Sequence, residues 1–127
     1  MNGLDEKPHK RLEAWKKAIE LTLLVYRMTE KLPEAEKFGL IPQMRRAVVS
    51  IASNIAEGAA KNTKKEFIQF LHNAQGSLSE LDTQSIICHE LGYFSQEDFR
   101  ILEEKLEHEN KLLTGLIKSL KKSKSYV

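Results

Sequence analysis

The sequence of 127 residues predicts an all-α protein, an antiparallel up-down-up-down four-helix bundle. Apolar residues recur at helical period along most of the chain. Three prolines and six glycines are too few for a loop-rich fold. The segments between the periodic stretches are short, and short connections make neighbouring helices antiparallel. The single cysteine, Cys88, excludes an internal disulfide, which favours a reducing cytoplasm.

The first helix is expected from about Leu12 to Lys31, after a loose leader formed by residues 1–10. Leu32-Pro33 ends this helix, because the residue before a proline is pushed out of the α region. In the connection that follows, Phe38 is expected to tuck under the loop. The apolar surface of the first helix is wider than one packing partner requires.

The second helix, from near Pro42 to about Ala60, is the most apolar. A helix on the outside of a monomeric bundle needs an apolar face of roughly 100°, and this face is about twice that width on the same helical wheel. The helix is therefore predicted to bury two sides. The residues on its flank are candidates for contact with a second copy of the chain: Val49, Ala52, Ala56 and Ala60.

Three capping signals predict the ends of the remaining helices. Thr63 and Glu66 form a predicted capping box, in which the hydroxyl and the carboxylate each satisfy a free amide. Gly92 is expected to close the third helix as a left-handed C′ residue. Ser95 begins the fourth helix, which runs to near Lys121. The bundle is thus assigned to residues 11–121 and a fraying basic tail to residues 122–127.

The sequence offers no support for an enzyme, a metal or a cofactor. A diiron site needs Glu-x-x-His pairs, but Gln69, Ile86 and Lys105 stand three residues before the helical histidines. Cys88 and His89 point about 100° apart on a helix and cannot act together, so Cys88 is interpreted as a small core residue. Phosphate-loop, H-E-x-x-H and G-x-S-x-G motifs are missing.

No stretch reaches the roughly 20 apolar residues of a membrane span, and nothing at the start resembles a signal peptide. A soluble, cytoplasmic protein is therefore expected.

Polar strips border the apolar faces of the two central helices. Their members are Arg46, Ser50, Asn54, Glu57, Asn73, Ser77, Glu80 and Gln84. We interpret them as a hydrogen-bonded polar seam that fixes helix pairing or subunit register, with Glu57 or Glu80 as a partner for Arg46. A lined pocket or pore is the alternative.

The net charge is only +2, but it is unevenly distributed. Residues 93–110 hold six acids against Arg100 and Lys105, whereas residues 111–127 hold five lysines and no acid. Lysines near a helix C-terminus can simply complement its dipole. If nucleic acid binds, the candidate contacts are Lys16, Lys17, Arg45, Arg46, Lys61, Lys64, Lys65, Lys118, Lys121 and Lys122. No aromatic residue lies among these lysines, so stacking on single-stranded bases is not indicated.

Several motifs resemble the bacterial four helix bundle protein family, also called the 23S rRNA intervening-sequence protein family. They are Glu13-Ala-Trp-Lys-Lys-Ala18, Glu36-Lys-Phe-Gly-Leu40, Ser50-Ile-Ala-Ser-Asn-Ile-Ala-Glu-Gly58 and Ala74-x-Gly-Ser-Leu-Ser-Glu80. The similarity covers about residues 11–120. Where the family tends to have Ser or Thr at the start of the second helix, this chain has Ile41-Pro42, so a helix cap is weakened.

The resemblance implies a homopentamer around a central channel, which agrees with the wide apolar faces. A related accessory protein of diversity-generating retroelements is strongly basic and binds nucleic acid and a reverse transcriptase, but this chain lacks that charge excess. The expected function is a non-enzymatic, RNA-associated accessory protein that binds phosphates through basic surface residues. The alternative is a protein-interaction scaffold, with a partner such as a reverse transcriptase and no nucleic-acid binding.

Overall fold

The computed structural model describes His9 and residues 12–123. It contains four α-helices: α1 (Glu13–Thr29), α2 (Leu40–Ala59), α3 (Lys64–Glu90) and α4 (Gln96–Lys122). A single 3₁₀ turn, Glu34–Glu36, lies between α1 and α2. Within residues 12–123 no strand is present. The predicted all-α, four-helix fold is confirmed. The leader, apart from His9, and the tail beyond Ser123 lie outside the described residues, so the domain boundaries stay predictions.

The helices pack in a closed square. α1 and α3 each contact both α2 and α4. The fully buried side chains come from all four helices and include Leu21, Ile51, Leu81 and Leu113. Because α2 packs against both α1 and α3, it buries two sides within its own chain. None of the four described helices is long and apolar enough to cross a membrane.

The cap residues place the ends of α3 and α4 where the sequence predicts. Thr63 Oγ1 accepts a hydrogen bond from the Glu66 amide at 3.2 Å, and Ser95 Oγ accepts one from the Asp98 amide at 3.0 Å. The Glu66 carboxylate accepts from the Thr63 hydroxyl at 3.0 Å rather than from an amide, so only half of the predicted capping box forms.

Gly92 closes α3 in the left-handed region, as predicted, with φ of +79°. The Gly92 amide donates to the His89 carbonyl at 3.0 Å and the Tyr93 amide to the Cys88 carbonyl at 2.8 Å. These two bonds form a Schellman motif, which satisfies carbonyls at the end of the helix.

The connection between α1 and α2 departs from expectation. The prediction that Phe38 is tucked under the loop is wrong, since its side chain is 89% exposed. α2 begins at Leu40, two residues before Pro42. Gly39, at its N-cap, has no side chain for capping, and Glu36 Oε1 accepts the Leu40 amide hydrogen at 3.1 Å instead. A carboxylate from the 3₁₀ turn therefore replaces the Ser or Thr cap that this chain lacks.

Candidate nucleic-acid interface

The packing brings four helix ends to one end of the bundle: the starts of α1 and α3 and the ends of α2 and α4. Lys64 Nζ donates to the Ser123 carbonyl at 2.6 Å, which joins the start of α3 to the end of α4. All the lysines of the predicted set lie in these helix ends and in the α2–α3 connection. We call them the basic end; its members are Lys16, Lys17, Lys61, Lys64, Lys65, Lys118, Lys121 and Lys122.

Most of the basic end is available to a partner. Lys65, Lys118, Lys121 and Lys122 are exposed and make no ion pair with any residue that the structure describes. The carboxylates in the same helix turns are fewer than the lysines: Glu13, Glu20, Glu57 and Glu66. Of these, Glu20 pairs with Lys17 Nζ at 3.4 Å. The first amides of α3 add the positive end of a 27-residue helix dipole. Lys121 and Lys122 also complement the negative C-terminal end of α4, so part of their role is structural.

The two arginines of the predicted set lie at the opposite end of the bundle. Arg45 Nε donates to Thr29 Oγ1 at 3.0 Å, and Arg45 Nη2 donates to the Tyr26 carbonyl at 3.2 Å. The guanidinium also lies 4.5 Å from the centroid of the Tyr26 ring. Arg45 therefore connects α2 to the end of α1. Arg46 is exposed, and neither Glu57 nor Glu80 pairs with it.

The polar seam forms in one stretch only. Ser50 Oγ and Ser77 Oγ are hydrogen-bonded at 2.8 Å across α2 and α3, and Asn54 Nδ2 donates to Ser50 Oγ at 3.0 Å. Farther along α3, Gln84 is buried and its Nε2 donates at 3.4 Å to Glu80 on the same helix. The Ser50–Ser77 bond supports the interpretation of a structural seam between α2 and α3.

The residues proposed for contact between copies have different environments. Val49 and Ala60 are exposed and Ala56 is half-buried, so all three are accessible. Ala52 is only 8% exposed and belongs to the chain's own core. Substitution of Ala52 would therefore perturb folding and is not a clean test of assembly.

Two carboxyl groups on α4 reduce the negative charge that the sequence suggests for residues 93–110. Glu109 is 1% exposed, and burial raises its pKa to about 8. Burial and a hydrogen bond to Asp82 raise the pKa of Glu103 to about 7. Glu109, and part of the Glu103 population, are therefore protonated at neutral pH.

Cys88 lies in the core, where its Sγ is 3.6 Å from the Met44 sulfur. Burial, with a smaller contribution from Glu36, raises the pKa of its thiol to about 11. A protonated, buried thiol is a poor nucleophile. Among residues 12–123 and His9, no group of three or more His, Cys, Asp or Glu side chains could hold a metal ion.

Sequence reasoning missed the role of Glu36. Its Oε1 caps α2, and its Oε2 accepts the Tyr93 hydroxyl at 3.0 Å, which raises the pKa of Tyr93. One carboxylate thus connects the start of α2 to the turn between α3 and α4. The signal available in the sequence was an acid shortly before a helix that lacks a Ser, Thr, Asp or Asn cap.

Comparison with known proteins agrees with the resemblance seen in the sequence. A family model described as 23S rRNA-intervening sequence protein matches residues 10–115. The chain is similar to a crystal structure from Bacteroides thetaiotaomicron, of a protein with unknown function from the S23 ribosomal protein family. That similarity has a TM-score of 0.77 at 24% identity and covers 83% of this chain and 95% of the other. None of the curated proteins searched matches this chain. With most of its length matched by the family model, the chain belongs to the 23S rRNA-intervening sequence protein family.

Proposed function

We propose that this protein is a non-enzymatic, cytoplasmic RNA-associated protein that binds phosphates at its basic end and works as a homo-oligomer, a pentamer. The observation that supports phosphate binding best is the bond between Lys64 and the Ser123 carbonyl. It brings Lys61, Lys64 and Lys65 beside the lysines at the end of α4. The lysines of this cluster outnumber the carboxylates beside them, and an excess of clustered lysines is the electrostatic footprint of nucleic-acid binding.

RNA is favoured over other polyanions by the family description, which refers to the intervening sequence of 23S rRNA. Two aromatic rings near the basic end, those of Trp15 and Phe70, are half-buried, and Lys61 Nζ lies 5.2 Å from the centroid of the Phe70 ring. Such a surface suits the backbone of structured RNA better than unstacked bases. The affinity should therefore depend strongly on salt and weakly on sequence.

The proposed homo-oligomer rests on apolar surface that one chain leaves uncovered. Leu23 on α1 and Leu91 at the end of α3 are each more than half exposed, at 53% and 55%. They lie on different sides of the bundle, and a ring is built from contacts between two different surfaces of each copy. The pentameric number comes from the family resemblance.

A protein scaffold is the second candidate function, because the same exposed apolar residues could bind a different protein, such as a reverse transcriptase. This alternative predicts a stable protein complex without nucleic acid.

Fluorescence anisotropy with a structured RNA, measured at several salt concentrations, tests the proposal. A charge-reversed variant of the basic end carries Lys65→Glu, Lys121→Glu and Lys122→Glu and leaves the Lys64 bond intact. A matched control carries Arg27→Glu, Lys31→Glu and Lys37→Glu, which make the same charge change at the opposite end of the bundle. We expect at least about a 10-fold loss of affinity in the first variant and about 3-fold or less in the control. Equal losses of affinity in the two variants would contradict the proposal, as would an unmodified protein that does not bind RNA at about 50 mM salt.

A further inference from the structure

The outer face of α1 presents a stripe of large apolar side chains. Ile19, Leu23 and Tyr26 follow one another at helical spacing and are 38%, 53% and 39% exposed. Val49 of α2, 41% exposed, lies beside Tyr26 on the same groove. We call these four residues patch A. Arg46 lines the groove and has no partner among the described side chains.

A second apolar surface lies at the end of α3. Ile86, Ile87 and Leu91 are 43%, 42% and 55% exposed, and we call them patch B. Glu90 lies among them with a side chain that is 77% exposed. Patch B therefore carries an exposed carboxylate, that of Glu90, whereas patch A has beside Val49 the guanidinium of Arg46, which is unpartnered in the described part of the chain.

The two patches lie at a similar height along the bundle. Arg45 of α2 contacts Tyr26, and its neighbour Met44 contacts Cys88, which lies within three residues of every member of patch B. When the helices of two copies are parallel, placing patch B of one copy on patch A of the other relates the copies mainly by rotation about an axis parallel to the helices. Such a rotation builds a ring if its angle divides a full turn evenly, whereas a large shift along the axis would build a filament.

We infer that patch A of one copy binds patch B of the next, with the Arg46 guanidinium facing the Glu90 carboxylate. This inference rests on the proposed homo-oligomer and names the surfaces that form it. Pairing patch A with itself would bring two unpartnered Arg46 side chains together and leave patch B in water. Pairing A with B covers both apolar surfaces and places opposite charges together.

Charge-swapped variants test this pairing, with molar mass measured by sedimentation across a concentration series. Arg46→Glu and Glu90→Arg should each raise the dissociation constant of the assembly by about 10-fold or more, and the double variant should return to within about 3-fold of the unmodified protein. Leu23→Ser and Ile87→Ser should each weaken assembly. Because both side chains are exposed, neither substitution should unfold the bundle. Lys105→Glu, a charge reversal on α4 outside both patches, is the control and should leave the mass unchanged. Circular dichroism of every variant checks that the helices remain.

The outcomes separate this pairing from the assembly itself. Recovery in the double variant supports the pairing. The pairing is overturned if both charge reversals weaken assembly but the double variant does not recover. It is also overturned if Leu23→Ser weakens assembly and Ile87→Ser does not. A protein that is monomeric at micromolar concentration, before any substitution, overturns the proposed homo-oligomer and this inference with it.

Discussion

Glu109 is the residue whose environment differs most from its chemical type. Its side chain is 1% exposed, and neither carboxylate oxygen has a hydrogen-bond partner in the described part of the chain. His108 shares a surface groove with Lys17, and Asn110 accepts a hydrogen bond from Gln75. Glu109 therefore lies between α1 and α3 at the height of Ala18 and Ala74, which are fully buried. Small side chains on both neighbouring helices leave room for a carboxyl group but offer it no donor.

Glu109→Gln should remove much of the pH dependence of stability. The folded pKa of about 8 lies above the ordinary value of 4.5 for a glutamate, so the native state holds a proton that the unfolded state releases. The stability from this group is complete below pH 4.5 and is lost as the pH rises to about 8. At about 1.4 kcal/mol per pKa unit, less the cost of burying an amide, we expect the variant to be about 2–3 kcal/mol more stable at pH 9.

Urea unfolding of the two proteins at pH 4.5, 7 and 9 measures this effect. Glu30→Gln is the control, because Glu30 is exposed and makes no ion pair with the described residues. A smaller slope should persist in the Glu109 variant, since the pKa of Glu103 is also raised, to about 7. Parallel stability curves for the variant and the unmodified protein would show that Glu109 is not protonated in the native state.

At the scale of the helices, the ends of α3 and α4 could be predicted because their capping hydrogen bonds are local. Thr63, Ser95 and Gly92 act on amides and carbonyls within four residues, so the sequence nearby contains the whole interaction. The contacts that were missed join distant segments. Glu36 binds Tyr93 across 57 residues, and Lys64 binds the Ser123 carbonyl across 59. The period of the apolar residues predicts that helices pack, but not which exposed charges their packing brings together.

Gly58 is also fixed by packing between helices, because α2 and α3 approach each other closely there. A methyl group at Gly58 would lie 2.8 Å from Phe70 Cβ and 2.9 Å from Phe67 Cδ1, whereas one at Gly76 or Gly115 would meet nothing within 4 Å. Gly58→Ala should therefore destabilise the protein by about 1–3 kcal/mol, although alanine favours helix. Gly76→Ala and Gly115→Ala, the controls, should each stabilise it by about 0.5–1 kcal/mol. Thermal unfolding measures all three; stabilisation by Gly58→Ala would show that the two helices can separate at little cost.

At the scale of the whole molecule, exposed lysines without an ion pair in the described part of the chain are concentrated at one end of the bundle. The basic end contains the exposed lysines of α3 and α4, whereas at the other end Arg100 pairs with the exposed acids Glu97 and Glu104. If copies associate by rotation about an axis parallel to the helices, every basic end lies on the same face of the ring. One copy offers only a few phosphate contacts, and several copies acting together would supply the positive surface that the net charge of +2 does not suggest.

RNA binding should therefore depend on assembly more strongly than the charge of one chain implies. Leu23→Ser leaves every lysine in place but is expected to separate the copies, because Leu23 is 53% exposed on patch A. The slope of log K against log salt scales with the number of phosphates neutralised, at about 0.7–0.9 per contact. The dissociated variant should show a slope that is less than about half that of the assembled protein. Anisotropy titrations at four salt concentrations, with sedimentation confirming the mass of each protein, measure both slopes. Equal slopes in a ring and in single copies would mean that one basic end alone makes all the phosphate contacts.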